Sequence, residues 1–263
     1  MSDKSIRIPS SSGDALISSL VHSALNTSKV HLLHPANSEW VEEAGILLVR
    51  HCLSRTFDKK NALKELVELG LKHDTIVDYC IPLAATKLGE SWANDSLSFS
   101  EATVGSANLQ TILKQITDER PSNLDFYDGK RFLICVHESE QHTLGALVLG
   151  DMLRRRGHSL KIKLDVNYSE VCELQRANDY DAILFSCASY LSVNETANCV
   201  KKIRKAFEYR CPIFLGGSNI ELISQGVDLK GFDLVTNSLE AVNNFVEKQR
   251  PKGLLELFGT APR

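Results

Sequence analysis

Several features are scarce in this 263-residue chain, and each scarcity removes a class of function. No apolar run approaches the roughly 20 residues a helix needs to cross a bilayer, and no secretory signal pattern stands at the N-terminus. The expectation is a cytoplasmic protein with no membrane partner. Charge of either sign is not in excess: the formal net charge is -3, so no global field draws the chain to DNA or to an anionic surface. The seven cysteines, Cys52, Cys80, Cys135, Cys172, Cys187, Cys199 and Cys211, are odd in number and include no C-x-x-C pair. That scatter argues against a disulfide framework or a zinc site and for buried thiols in a reducing compartment. G-x-G-x-x-G and the P-loop are both missing. So are a recognisable catalytic domain and a DNA-binding module, and the chain is not expected to be an enzyme.

What remains has ordinary globular composition, 43% hydrophobic and 24% charged, with length for one large domain or two modest ones. Residues 1–36 read as a Ser-rich N-terminal arm. Residues 37–118 carry four helical signals in close succession, which predict a four-helix bundle. Asn37 or Ser38 can cap a helix from Trp40 through Leu53, and Asp58 one containing Leu63, Leu66, Val67 and Leu69. Asp74 can cap a third helix through Trp92, with Pro82 either kinking it or marking its start. Ser98 with Glu101 three residues on forms a capping box for the fourth. Residues 119–129 are polar, contain Pro121 and end in Asp128-Gly129, so they read as a linker.

From Lys130 the period changes. Strand candidates at Arg131–Val136, Ser159–Leu164, Asp181–Cys187, Pro212–Leu215 and Asp233–Thr236 alternate with helices beginning near His142, Ser169, Ser192, Ser218 and Leu239. That alternation predicts a five-stranded, doubly wound parallel sheet over residues 130–250, and residues 251–263 read as a tail.

Within this half, the first strand ends in Glu138-Ser139-Glu140-Gln141-His142-Thr143. Loops at the carboxyl ends of parallel strands form the ligand crevice of such sheets. A His at a helix start can be a simple cap, and Gly216-Gly217 can be a simple tight turn. Glutamates in the first loop would repel a pyrophosphate, which sets a dinucleotide site aside. The third strand ends in Ser186-Cys187, without the Asp of a phosphorelay receiver. A carboxylate two residues from an imidazole can fix its tautomer for metal ligation. One His is too few ligands for a bare ion but enough for a metal already held by a macrocycle.

Glu140-x-His142-x-x-Gly145, then Ser186-x-Ala188, then Gly216-Gly217 resembles the cobalamin-binding signature D-x-H-x-x-G…S-x-L…G-G. The stretch Leu88-Gly89-Glu90-Ser91-Trp92 to Glu101 resembles the helical cap that precedes that domain in corrinoid proteins and cobalamin photoreceptors. Glu140-Gln141-His142-Thr143-x-Gly145 is most similar to AerR/PpaA-type antirepressors, with the heme-or-cobalamin SCHIC sensor domains close by. The resemblance implies an α/β fold: a helical bundle cap followed by a Rossmann-like (flavodoxin-like) cobalamin-binding domain. It implies that His142 is the lower axial ligand to cobalt and that Glu140 stands behind it. Gly145 would let the nucleotide tail pass close to the backbone, Ser186 would hydrogen-bond its buried base, Gly216 and Gly217 would give it room, and Leu88 and Trp92 would lie over the upper corrin face, with Thr143 and Ala188 also counted as cofactor-binding. The cofactor would be adenosyl-, hydroxo- or methylcobalamin, with heme as the lesser alternative, since imidazole also ligates heme iron.

The implied function is light- or redox-responsive regulation through a protein partner, a transcriptional repressor. Direct DNA contact and monomer against homodimer stay open. A corrinoid methyl carrier is the alternative. Three departures from the family stand out. Glu140 replaces Asp and is expected to make a looser bond to His142 or to turn to solvent. Ala188 replaces a packing Leu. Ala102-Thr103 replaces the Glu-His pair of the photoreceptors, which leaves His22, His31 or His34 of the arm as candidates for the upper cobalt face.

Overall fold

The computed structural model describes residues 38–120, 129–206, 211–218 and 220–248. The arm with His22, His31 and His34, the tail and most of the linker lie outside them. The chain divides into two compact units, Met1–Pro121 and Ser122–Arg263.

The described residues of the first unit form four helices: α1 (Ser38–Cys52), α2 (Lys59–Glu68), α3 (residues 73–93) and α4 (Phe99–Asp118). Asp58 caps α2 by accepting from the Lys60 and Asn61 N–H groups. The capping box of α4 is formed in both directions, Ser98 to the Glu101 N–H and Glu101 back to the Ser98 N–H. Each bond satisfies a donor that the first helical turn leaves without a partner. Leu48, Ala44, Ile81, Ala84, Leu109, Ile112 and Ile116 are fully buried.

Helix α3 differs from the expected one. It begins at His73 after Lys72, so Asp74 is inside it rather than at its cap. Ile76–Cys80 form a π-helical turn and Ile81–Ala93 continue as α-helix. Proline lacks the N–H and its ring crowds the carbonyl four residues back. The widened turn ending just before Pro82 takes up that crowding, so the helix runs through without a break.

The second unit is a parallel sheet with the order β2-β1-β3-β4-β5. Its elements are β1 (Arg131–His137), α5 (Leu144–Arg155), β2 (Ser159–Val166), α6 (Tyr168–Asn178), β3 (Ala182–Ser186), α7 (Tyr190–Ala206), β4 (Ile213–Gly216), α8 (Ile220–Ile223), β5 (Leu234–Val235) and α9 (Leu239–Lys248). The fold is α/β, as the alternating pattern predicts, with the flavodoxin-like strand order. Alternate residues of each central strand feed opposite faces. Leu133, Cys135, Ile183, Phe185, Ile213 and Leu215 pack with α6 and α7 residues such as Val171, Val193 and Val200. Phe132, Ile134, Ala182, Leu184 and Phe214 pack with Ala146 and Leu153 of α5 and Val242 and Val246 of α9. Burial on both faces is why these strands read as unbroken apolar runs.

The helix expected near Ser218 is only the four residues of α8, and β5 is shorter than Asp233–Thr236. Asp233 serves a different purpose: its carboxylate accepts from Ile213 N–H and pairs with the Arg204 guanidinium. All seven cysteines are buried and unpaired, and burial pushes the thiols of Cys52, Cys80, Cys199 and Cys211 up to about 12. Among the described residues no helix is long and apolar enough to cross a membrane.

Removing the Ser98 cap by Ser98→Ala should cost about 1 kcal/mol, read as an earlier urea midpoint of the full chain. An unchanged midpoint would show that the capping box contributes nothing.

Candidate functional site

Strand β1 is buried from Phe132 to His137 and ends in a tight turn in which Glu140 N–H donates to His137 O. The pairing of β1 with β2 slips there. Cys135 faces Lys163 while His137 faces Val166, with Asp165 at φ 56 in the extra position. Because β1 and β3 are neighbours in the sheet, the loop after β1 meets the loop after β3. The two loops are joined through one side chain.

That side chain is Glu140, whose carboxyl group is 1% exposed. Its Oε1 accepts from His142 N–H at 2.8 Å and from His142 Nδ1 at 2.5 Å. Its Oε2 accepts from Ala188 N–H at 2.7 Å and Ser192 Oγ at 2.5 Å. Burial opposes ionisation, but the hydrogen bonds from His142, Ser192 and the Ala188 N–H prevail and hold the carboxyl down at about 2. Glu140 is therefore a carboxylate at neutral pH.

His142 is its complement. The bond to Glu140 raises the imidazole above its ordinary value, against burial, and the carboxylate's charge adds to the rise. With Nδ1 committed to Glu140, Nε2 is the uncommitted nitrogen of a ring that is 69% exposed. The expectation that the longer Glu140 side chain would loosen this bond or turn to solvent is overturned. The carboxylate points inward, where it reaches the β3–α7 loop as well as His142.

The other signature residues fall around this pair. Thr143 occupies the N-cap position of α5 but does not cap it with its side chain. Gly145, in the first turn of α5, faces Ser186: a Cβ built there would lie 3.6 Å from Ser186 Oγ, an ordinary contact. Ser186 is 9% exposed and its hydroxyl has no partner among the described residues. Ala188 contributes its N–H rather than its side chain. Ser186 is in register with Gly216, and Cys187 N–H donates to Gly216 O. Gly217 adopts φ 137, and a Cβ there would sit 1.7 Å from Cys187 O. Here the glycine is required by the fold itself, because β4 leaves the sheet against the backbone of the β3–α7 loop. Cys187 is 1% exposed, its Sγ lies 3.3 Å from Thr196 Oγ1, and burial lifts its thiol to about 11. It is a core residue.

One functional residue was missed by sequence reasoning: Ser192, fully buried in the first turn of α7 and bonded to Glu140. The only signal was a Ser six positions after Ser186, and it acquires meaning once Glu140 is known to turn inward.

In the helical unit, Leu88 is 2% exposed and packs so closely on Gly105 that a Cβ there would lie 2.9 Å from its methyl groups. Leu88 is packed in the bundle core. Trp92 is 49% exposed and meets Phe99 edge-on with ring centroids 6.1 Å apart. It is a surface aromatic rather than a core one.

Among the described residues no group of three or more His, Cys, Asp and Glu is placed to hold a metal ion. The donor set of this loop, one imidazole backed by one carboxylate, suits a metal whose other positions are already filled.

No family model matches the chain. A curated relative, the "Uncharacterized 20.5 kDa protein in bchF-crtJ intergenic region" of Rhodobacter capsulatus, is 31% identical over 170 residues, 64% of this chain and 88% of the relative. Two solved structures resemble the chain at 11% identity. One is a cobalamin-binding protein from Desulfitobacterium hafniense, covering 80% of this chain and 98% of that one at a TM-score of 0.41. The other is from the methanol:cobalamin methyltransferase complex MtaBC of Methanosarcina barkeri, covering 92% and 94% at 0.39.

The Glu140 carboxyl has a lower pKa in the folded than in the unfolded chain, where 4.5 is the ordinary value. Its contribution is therefore present above 4.5 and lost as pH falls toward about 2, a span worth roughly 3 kcal/mol. Urea titrations of wild type and Glu140→Gln should differ most at neutral pH and converge in acid. A constant difference across that range would contradict the assignment.

Proposed function

The chain belongs to the family of the 20.5 kDa Rhodobacter capsulatus protein, and from that premise we propose that it is a cobalamin-binding regulator. In this reading it is a binding protein rather than an enzyme, responds to light or redox state, and acts on transcription through a protein partner. The relative is itself uncharacterised, so the weight rests on the loop. The observation that carries the reading is the fixed imidazole of His142. Its Nδ1 is tied to a buried carboxylate and its Nε2 is free, beside an unpartnered Ser186 hydroxyl and a bare Gly145.

Cobalamin, when bound, would supply a cobalt centre whose chemistry responds to light and redox change. The chain's own residues would do the rest. His142 Nε2 would donate from below, and Glu140 would hold the ring in one tautomer and keep Nε2 the stronger donor. Gly145 and Ser186 would border the nucleotide tail, with the Ser186 hydroxyl available to hydrogen-bond its base. Heme has no such tail, so Ser186 and Gly145 favour the corrinoid. The similarity of the Glu140–Gly145 segment to AerR/PpaA-type antirepressors, with Glu140 in place of Asp and Ala188 in place of Leu, supports a regulator over a methyl carrier.

Purified full-length protein mixed with hydroxo-, adenosyl- or methylcobalamin, and separately with heme, tests this by absorption spectroscopy. The wild type should bind cobalamin in the His-on form. Glu140→Gln should weaken binding by about 10–100-fold, the usual effect of losing the group behind a ligating His. Gly145→Ala should leave the free protein as stable or more so by up to about 1 kcal/mol, yet bind cobalamin less well by filling the space before Ser186. Heme binding without cobalamin binding would overturn the corrinoid, and methyl turnover with a methyltransferase would replace the regulator by a carrier.

A further inference from the structure

His137 lies one turn before the His142 loop and belongs to none of the motifs. It is 8% exposed at the end of β1. Its Nδ1 is 3.2 Å from the backbone nitrogen of Ser139 and 2.8 Å from Ser139 Oγ. A backbone N–H can only donate, so Nδ1 must carry the lone pair and the ring proton must sit on Nε2. The same residue closes the turn from its other end, because His137 O accepts from Glu140 N–H at 2.8 Å. Glu138 N–H is meanwhile anchored on Val166 O of β2 at 3.2 Å. The neutral ring therefore pins the middle of a turn whose last residue carries the carboxylate that orients His142.

We propose that His137 is a positioning residue for the His142 loop, and that it acts as an acid-released clasp. Doubly protonated imidazole has no lone pair. Its Nδ1–H would face the Ser139 N–H donor to donor, and only the contact with Ser139 Oγ could survive, with the hydroxyl as acceptor. The turn would then lose its central bond and Glu140 the fixed backbone that aims it. The charged groups facing His137 are Glu138 of the turn and Glu195 and Lys202 of α7. Burial outweighs the two glutamates and, with Lys202, keeps the ring neutral to a lower pH than the ordinary value of 6.5. Release therefore belongs to acidic conditions and not to neutral ones.

The clasp exists in the protein without any cofactor, so its test is independent of the cobalamin reading, although its consequence for ligation rests on that reading. Amide hydrogen exchange of Ser139 and Glu140, followed by NMR in the cofactor-free full chain, measures it directly. Corrected for intrinsic rates, protection at Ser139 should fall by up to about tenfold per pH unit as pH drops from the ordinary value of 6.5 toward the lowered His137 midpoint, and level off below it, because the open population grows with proton concentration until the ring is protonated. His137→Asn and His137→Gln each keep an acceptor that does not titrate, and in whichever folds by circular dichroism the fall should vanish. His142→Ala should leave the fall in place. A pH-independent protection in wild type, an unchanged fall in the folded His137 variant, or loss of the fall in His142→Ala would each overturn the clasp. Failure of cobalamin to bind would appear in the absorption spectra and leave these exchange results as they are.

Discussion

The site depends on a single buried carboxylate. An ionised group taken out of water without partners costs several kcal/mol, and Glu140 offsets that cost with donors from three places: His142, Ala188 and Ser192. Those donors belong to the loop after β1, the loop after β3 and the first turn of α7. The sheet order puts β1 beside β3, which is what lets one side chain reach them all. The close approach of Gly217 to Cys187 then fixes the β3–α7 loop from the side of β4. The imidazole of His142, bonded to the buried carboxylate, is itself turned toward water.

Much of the fold was legible because it follows from local rules. The sheet announced itself through apolar runs too short for helices, separated by polar turns, and the run lengths reflect burial on both faces. The Ser98–Glu101 box and the Asp58 cap could be read directly, since each acts within three residues. The remainder was set by tertiary context. Pro82 reads as a kink or a helix start, but the chain absorbs it in a π turn. Leu88 shares the spacing of the helical cap and packs into the bundle core in the space that Gly105 on α4 leaves for it. A helix near Ser218 shrank to one turn while Asp233 secured the adjacent chain through Arg204 and Ile213.

The same distinction applies to the site. His142, Ser186 and the glycines were visible from spacing, since each lies at the end of a strand or the start of a helix. The inward turn of Glu140 was not, because the direction of a side chain depends on where acceptors and donors from other strands await it. Ser192 was invisible for the same reason. Glu in place of Asp looked like a weakening, yet the Glu140 carboxylate bonds His142 on one loop and Ala188 on the other.

The central claim is that His142 donates Nε2 to a cobalt already enclosed by a corrin. The most direct measurement is electron paramagnetic resonance of the reduced, cobalt(II) cobalamin complex of the full chain, prepared with ordinary and with heavy-nitrogen histidine. The account predicts that the nitrogen splitting on the cobalt signal changes its multiplicity with the histidine label and that the labelled pattern is lost in His142→Ala. A splitting that ignores the histidine label, as from the cofactor's own base, would contradict it.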